Sequence, residues 1–290
     1  FLVDDVKGDY SLAGGTLALQ NFYIHTLTSS VKMDGTMDAR GNLDFGIEAK
    51  DVHLARIPLI NEYAEFDGAF DFSGSVKGTK HNPLFNGVVT SNSISVNKVE
   101  FTGLACKLHS EGGTVNNLSG TFQQKAGGDY SIDLLVDFAQ HLVQGNVDMQ
   151  KGDVKSLLQI AKQDLDIKGA LTGRIELNKA GIGTGLTMKG QVDNGEIRGI
   201  QFKSADFDMF ARAGFWHIIT LKAVENDNGI LLAQGTFDTK KRTINMELAC
   251  DKANAKLLTT FMTHPVELTG SMDVAAQMNG NLDNPDGNMS

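Results

Sequence analysis

Two stretches of this 290-residue chain close on the same punctuation, Gly-x9-Gly-x3-Asn-Pro. The first copy is Gly68, Gly78, Asn82 and Pro83. The second is Gly270, Gly280, Asn284 and Pro285, 202 residues later with every internal spacing kept. Glycine turns the chain where other residues are strained, and proline cannot donate to a hydrogen-bonded ladder. A spacing shared to the residue therefore predicts shared local structure, and the chain reads first as a repeat array.

A second pair of segments extends the match. Gly35-Thr36-Met37-Asp38 returns 200 residues later as Gly235-Thr236-Phe237-Asp238. Alternating strands follow, with Leu43, Phe45 and Ile47 in one copy and Ile244, Met246 and Leu248 in the other. Short helical stretches come next, carrying Leu54, Ile57 and Ile60, or Leu257, Leu258 and Phe261. A middle copy lies between them. Val154, Leu157, Leu158 and Ala161 have helical spacing, and Gly169 falls 101 residues from both Gly68 and Gly270. The middle copy has Asn178-Lys179-Ala180-Gly181 where the others have Asn-Pro. The organisation this predicts is one continuous repeat region over residues 1–290, in modules of 1–101, 102–202 and 203–290.

Between the punctuation the dominant period is two. Tyr130, Ile132, Leu134, Val136 and Phe138 alternate with Ser131, Asp133 and Asp137, and Leu135 alone breaks the pattern. This period puts apolar side chains on one sheet face and polar ones on the other. The stretch from Phe207 to Leu221 is ambiguous and reads as strand or bent strand. At about 8–12 residues per strand and turn, the pattern predicts roughly two dozen strands. Three short helices cannot cover the apolar face these make, so the sheet must pack on another sheet, close, or curl. Membrane barrels carry girdles of Tyr and Trp, and this chain has one Trp and four Tyr against 16 Phe. Strand pattern runs through every module boundary without a linker, which favours one continuous sheet. With strands about 4.8 Å apart, such a sheet is on the order of 100 Å long. With strands of about 6 residues it is roughly 20 Å wide. That is a trough.

Composition narrows the partners. Net charge is -9 with no run of Lys or Arg, so no nucleic-acid surface is expected. No stretch approaches the roughly eighteen apolar residues of a membrane helix, and no signal peptide is visible. The chain opens on Phe1 and stops within a repeat copy at Ser290, so it reads as a piece of a longer protein. Cys106 and Cys250 are in phase with apolar neighbours and read as buried hydrophobes rather than a disulfide.

The chemical motifs are weak. His25, His53, His81 and His109 are 28 residues apart, but none has a second ligand beside it, and no metal site is expected. Gly181, Gly183 and Gly185 are misplaced for a nucleotide loop and precede an alternating strand, so they read as a turn. The acidic pairs Asp4-Asp5 and Asp206-x-Asp208 read as solvated strand faces rather than an acid–base pair. No catalytic residue, cofactor or enzymatic activity is expected.

The order of elements resembles a known family. An amphipathic helix, Gly68-x-Phe70-x-Phe72, Gly78-Thr79-Lys80-His81-Asn82-Pro83, Gly87 and a hairpin ending at Phe101 resemble the repeats of TamB proteins, in the AsmA-like superfamily. The stretch from Ala205 through Gly229-Ile230-Leu231-Leu232 to Gly235-Thr236-Phe237-Asp238 and Ile244-Asn245-Met246 resembles the AsmA-type strand unit. The resemblance covers the chain from about Gly15 onward. It implies a periplasmic protein anchored in the inner membrane of a diderm bacterium. Its fold would be an elongated curled β-sheet, a β-taco, whose groove carries phospholipid or another acyl lipid towards the outer membrane. The parent would contact the inner membrane and an outer-membrane barrel protein.

The apolar stripe then has two readings, a self-packed core or a lipid-facing wall. The resemblance favours the wall. Its expected lining is Phe70, Phe72, Val96, Val99, Phe101, Leu104, Leu108, Ile132, Leu134, Val136 and Phe138 in the first half of the chain. In the second half it is Ile175, Leu177, Met188, Phe202, Leu232, Phe237, Met246 and Leu248. The glycine and Asn-Pro punctuation is assigned a structural role, as strand ends and joints between trough segments that also block edge pairing. The rival function is an assembly factor for outer-membrane proteins that takes client strands by β-augmentation. A closed β-solenoid adhesin is the third.

Overall fold

A computed structural model describes residues 3–53, 55, 65–112, 114–137, 139–140, 142–160, 162, 166–179, 184–197, 199–256, 268–281 and 284–289. They are nearly all strand, in open antiparallel sheet with one short helix, as the alternation predicts. The chain divides into two compact units, Phe1–Val143 and Gln144–Ser290, whose boundary differs from those of the sequence modules.

In the first unit, nine strands follow one another as a meander. They are β1 (Asp5–Ala13), β2 (Thr16–His25), β3 (Ser30–Met37), β4 (Asn42–His53), β5 (Phe66–Thr79), β6 (Asn82–Val96), β7 (Val99–Gly112), β8 (Val115–Gln124) and β9 (Asp129–Asp137). Each pairs antiparallel with the next. The second unit repeats the plan with β10 (Leu142–Asp153), α1 (Val154–Ile160), β11 (Ile167–Lys179), β12 (Thr184–Ile197), β13 (Ile200–Arg212), β14 (Phe215–Glu225), β15 (Ile230–Asp238), β16 (Thr243–Asn254), β17 (Ser271–Asn281) and β18 (Asn284–Met289). The ambiguous stretch from Phe207 to Leu221 is the β13–β14 hairpin. Helix α1 bears the predicted Val154, Leu157 and Leu158, and Asp153 caps it by accepting the Ser156 N–H at 2.9 Å. The other two helical segments, like Phe138, lie outside the described residues.

The strands are fewer and longer than the sequence predicts. β6 has 15 residues and β5 and β7 have 14 each, so an extended strand reaches about 50 Å rather than 20 Å. The reason is that glycines and bulges lie within strands instead of ending them. Among the bulges, three in which one strand carries an extra residue against its neighbour share one geometry. These are Ala49 to Val52 on β4, Met149 to Gly152 on β10, and Cys250 to Ala253 on β16. The bulge residues Asp51, Lys151 and Lys252 sit at φ of 55°, 56° and 50°. Each amide is caught by a side chain on the neighbouring strand. Asp51 donates to Asp71 Oδ1 at 3.0 Å, Lys151 to Thr172 Oγ1 at 3.2 Å, and Lys252 to Asp273 Oδ1 at 2.8 Å. The acceptors are 101 residues apart, each three after Gly68, Gly169 or Gly270. The bulge frees an N–H from the ladder, and the latch satisfies it.

The Asn-Pro motif is a hairpin turn inside the first unit rather than a joint between segments. Thr79 faces Asn82 across Lys80 and His81, and the Asn82 amide donates to Thr79 Oγ1 at 3.1 Å. Gly78 faces Pro83, and Gly280 faces Pro285 in the same way. β6 begins its register with β7 only at Asn86, so Pro83 sits where that ladder asks for no donor.

The latch makes a direct test. Asp71→Ala is expected to lower stability by about 1 kcal/mol, the net worth of one hydrogen bond. Asp71→Asn keeps an acceptor and is expected to retain most of it. Urea denaturation measures both. Equal losses would assign the effect to the exposed Lys50–Asp71 ion pair (2.7 Å) instead of the bulge amide.

Candidate functional site

Register decides which side chains share a face. In the first unit, one row runs across seven strands as Met33, Ile47, Gly74, Gly87, Leu108, Leu118 and Leu134. The next runs Val31, Ala49, Phe72, Val89, Cys106, Gly120 and Ile132. Phe70, Val96, Val99, Phe101, Leu104 and Val136 fall on the same face, so ten of the eleven predicted residues here are brought together, Phe138 being outside the described set. In β7 the bulge at Gly103 (φ 63°) resets the phase between Phe101 and Leu104, which keeps both on this face.

The second unit does the same. Val147, Ile175, Met188, Met209, Ile218, Gly235, Met246 and Met278 form one row across eight strands. Leu177, Leu186, Ala211, Trp216, Phe237 and Ile244 form another, and Phe202 and Leu248 lie on the same face. Leu232 does not. It faces Lys222 and Ala249 on the opposite, polar face and is 44% exposed. Within Ile230-Leu231-Leu232-Ala233 alternation cannot choose a phase. The pairing of Leu231 with Ala223 and Cys250 does. Leu231, Met209, Ile218 and Met278 are apolar-face residues that the sequence reading missed. The 101-residue period was the available signal for Leu231, which follows Tyr130 by that interval.

Exposure differs sharply between the faces. Along β7, Val99, Phe101 and Cys106 are buried while Glu100, Ala105, Lys107 and His109 are exposed. A flat sheet with bare faces would expose both alike, so the sheet of each unit curls towards its apolar face. The curl closes on itself in places. Phe101 packs edge-on to Phe122 and Tyr130 at ring separations of 5.3 and 5.9 Å, and Tyr130 donates to Gln124 Oε1 at 2.6 Å. Ile200, Phe202 and Ala223 make a second cluster with Leu231 and Met272. Elsewhere the face is half-buried. Phe72 lies over the facing glycines Gly74 and Gly87, where a Cβ on either would come within 2.8 Å of its ring.

The polar face carries the ion pairs, including Arg174–Asp148 at 2.6 Å, Lys168–Glu196 at 2.7 Å and Lys189–Asp208 at 2.9 Å. These exposed pairs contribute little stability, but they make this face costly to bury. Among the described residues no group of His, Cys, Asp or Glu is placed to hold a metal, and the four spaced histidines do not meet. Residues 181–183 lie outside the described set, and a strand follows them. Both cysteines are free thiols on the apolar face, with burial raising their proton affinity.

A carboxylate is also buried against the apolar region. Glu225, at the end of β14, is 2% exposed and faces Phe202. Its Oε2 accepts the Asn254 N–H at 2.8 Å, while Oε1 has no hydrogen-bond partner among the described residues. Burial pushes its carboxyl upward, nearby Asp227 adds to that, and the Asn254 amide opposes it. Gln124, 101 residues earlier, ends β8 in the same turn. Gln124 N donates to Gly128 O at 2.9 Å, as Glu225 N does to Gly229 O at 2.8 Å.

Comparison of the chain with protein-family models, with curated proteins and with solved structures returns no match. The function must be argued from the two faces themselves.

The Glu225 contrast yields a prediction with a definite sign. Its folded-state pKa lies above the ordinary 4.5. The ionisation penalty is therefore absent below that pH and grows as pH rises through the folded value. Glu225→Gln is expected to raise stability at pH 7 by roughly 1 kcal/mol, or about 2–4 °C in Tm, and to change little at pH 4. Thermal melts at the two pH values check it. An equal gain at both would mean that packing, not ionisation, is responsible.

Proposed function

We propose that the apolar face is a lipid-carrying groove, and that the protein is a periplasmic carrier of phospholipid between inner and outer membranes, of TamB or AsmA-like type. One observation carries the proposal. Rows of apolar residues and glycine, with no polar side chain in them, run across seven strands of one unit and eight of the other, and no second sheet covers them among the described residues. Acyl chains would lie against these rows while head groups remain at the open side. The recurrence of the latch acceptors at 101 residues, and of glycine conformation at 202 (Gly68 and Gly270 both at φ 104°), supports three modules of six strands each.

The energetics suit carriage rather than storage. Each methylene transferred from water to such a wall gains about 0.8 kcal/mol, so a chain is held without specific contacts. Successive strands present similar rows about 4.8 Å apart, so a chain shifted by one strand loses little. The energy profile along the row is flat. Met188, Met209, Met246 and Met278 on a single row add side chains that reshape around a moving ligand.

The test is native mass spectrometry of the protein purified without detergent. Adducts at phospholipid mass are expected, and Leu134→Asp, which puts a charge in the middle of a row, is expected to reduce their occupancy severalfold with the fold kept by circular dichroism. Absence of lipid from the unaltered protein would refute the proposal. Crosslinking of strand peptides to a sheet edge, with no lipid present, would favour the client-strand function.

A further inference from the structure

We propose that the adjoining tips of the β13–β14 and β15–β16 hairpins dock on an anionic phospholipid bilayer, entering its head-group layer edge-on. This surface is separate from the lipid groove and does not depend on it.

Charge is the first observation. In a chain of net charge -9, the two tips carry Arg212, Lys240, Lys241 and Arg242 against one carboxylate, Asp238. All four cations are exposed, while Asp238 is buried. Its Oδ1 accepts the Lys240 and Lys241 N–H groups at 2.9 and 2.8 Å, and Lys241 Nζ stands 3.9 Å from its Oδ2. Three consecutive cations are too few to mark a basic segment by sequence alone. The fold makes the patch. Thr239 N donates to Gly214 O at 2.9 Å, and the Lys240 stem crosses Gly214, where an added Cβ would lie 3.0 Å from Lys240 Cγ. The two turns are thereby joined into one surface.

The other copies of the repeat build the same turns without these charges. In the first, Arg40 N donates to Asp38 Oδ1 at 2.8 Å, and a Cβ on Gly15 would meet Ala39 at 2.8 Å. One Asp and one Arg balance there. In the middle copy, Ala139 and Gln140 donate to Asp137 Oδ1 at 3.0 and 3.2 Å, and neither 111–114 nor 137–141 contains Lys or Arg. The aspartate cap is common to all three, so the turn is complete without four cations. Their charge serves a contact outside the fold.

Aromatic placement identifies that contact. Phe215 and Trp216 open β14 directly after the turn, where the other copies have Thr16-Leu17 and Val115-Asn116. Alternation sends the two rings to opposite faces. Phe215, in the row of Arg212 and Asp238, is 39% exposed on the polar face. Trp216, the sole Trp, lies on the apolar face, stacked on Phe237 at 5.7 Å. A small ligand on one face would meet one ring. A bilayer met by the end of the sheet meets both. Each ring begins within about 7 Å of the turn, inside the roughly 5–10 Å depth of interfacial segments. Aromatic rings suit that layer, and cations are drawn to its anionic head groups. Repulsion from carboxylates beyond the Debye length, about 8 Å at physiological salt, is screened.

Vesicle flotation tests the surface, using phosphatidylglycerol and phosphatidylcholine in equal parts, or phosphatidylcholine alone. Binding to the anionic vesicles is expected to be about tenfold tighter or more, and to weaken as salt rises. Lys240→Glu/Lys241→Glu is expected to weaken it by about tenfold with an unchanged thermal melt, and Phe215→Ser severalfold. The control Lys107→Glu/Lys203→Glu makes the same change of charge at exposed strand residues, and its binding is expected to stay within about twofold. No binding to anionic vesicles, equal binding to both kinds, or binding that the tip variant leaves unchanged or loses no more than the control would overturn the proposal. Capture of soluble polyglutamate without vesicle binding would overturn it in favour of an acidic protein partner.

Discussion

The antiparallel register is the constraint on which everything else depends. Side chains alternate with a period of two, so a slip of one residue between neighbouring strands would exchange the apolar and polar faces. A slip of β7 by one residue against both neighbours would set Leu108 between Val88 and Ser119, and Lys107 into the row of Phe72 and Ile132. Long strands are exposed to that error, and 14- and 15-residue strands here carry bulges that could propagate it. The three latched bulges remove the ambiguity. Asp71, Thr172 and Asp273 each bind one amide of the neighbouring strand, and that bond is available in a single register. Phase is thereby fixed near the ends of β4, β10 and β16 as well as at the hairpins.

With the phase fixed, the two faces diverge in chemistry. The apolar face gathers Phe, Leu, Ile and Met in rows, and curling shields them from water without sealing them. The polar face is stitched with exposed ion pairs. Glu225 marks the limit of what the apolar side tolerates, since its place in the first unit is held by the neutral Gln124 with a tyrosine hydroxyl to bind it. Leu232 marks the reverse on the polar side. Each departs from its equivalents in the repeat, and each departure locates a distinct chemical property.

Much of this was legible in the sequence. Alternation along Tyr130, Ile132, Leu134 and Val136 gave both the strand and its face, because only Leu135 in that segment interrupts the period. The spacing from Gly68 to Gly169 to Gly270 marked the repeat, and the latch acceptors Asp71, Thr172 and Asp273 lie three residues after each glycine. The latch itself was hidden. Asp71 and Thr172 look like ordinary polar strand residues until the facing amide is seen, and Asp51, Lys151 and Lys252 carry no sign of a left-handed backbone. Leu232 was misplaced because a run of four apolar residues holds no phase information, and only pairing with the next strand supplies it. Strand length was underestimated for a related reason. Glycine read as punctuation proved to lie within a strand at Gly68.

The central claim is that one face of this sheet meets lipid and the other meets water. Neighbouring residues on β7 test it most directly, since Leu108 points to the apolar row and Lys107 to the polar one. A photoreactive amino acid placed at each in turn, irradiated in cells and followed by mass analysis of the adducts, reads out what each side touches. The account predicts phospholipid adducts at position 108 and none above background at position 107. Equal lipid capture at the two positions, or capture at 107 alone, would contradict it.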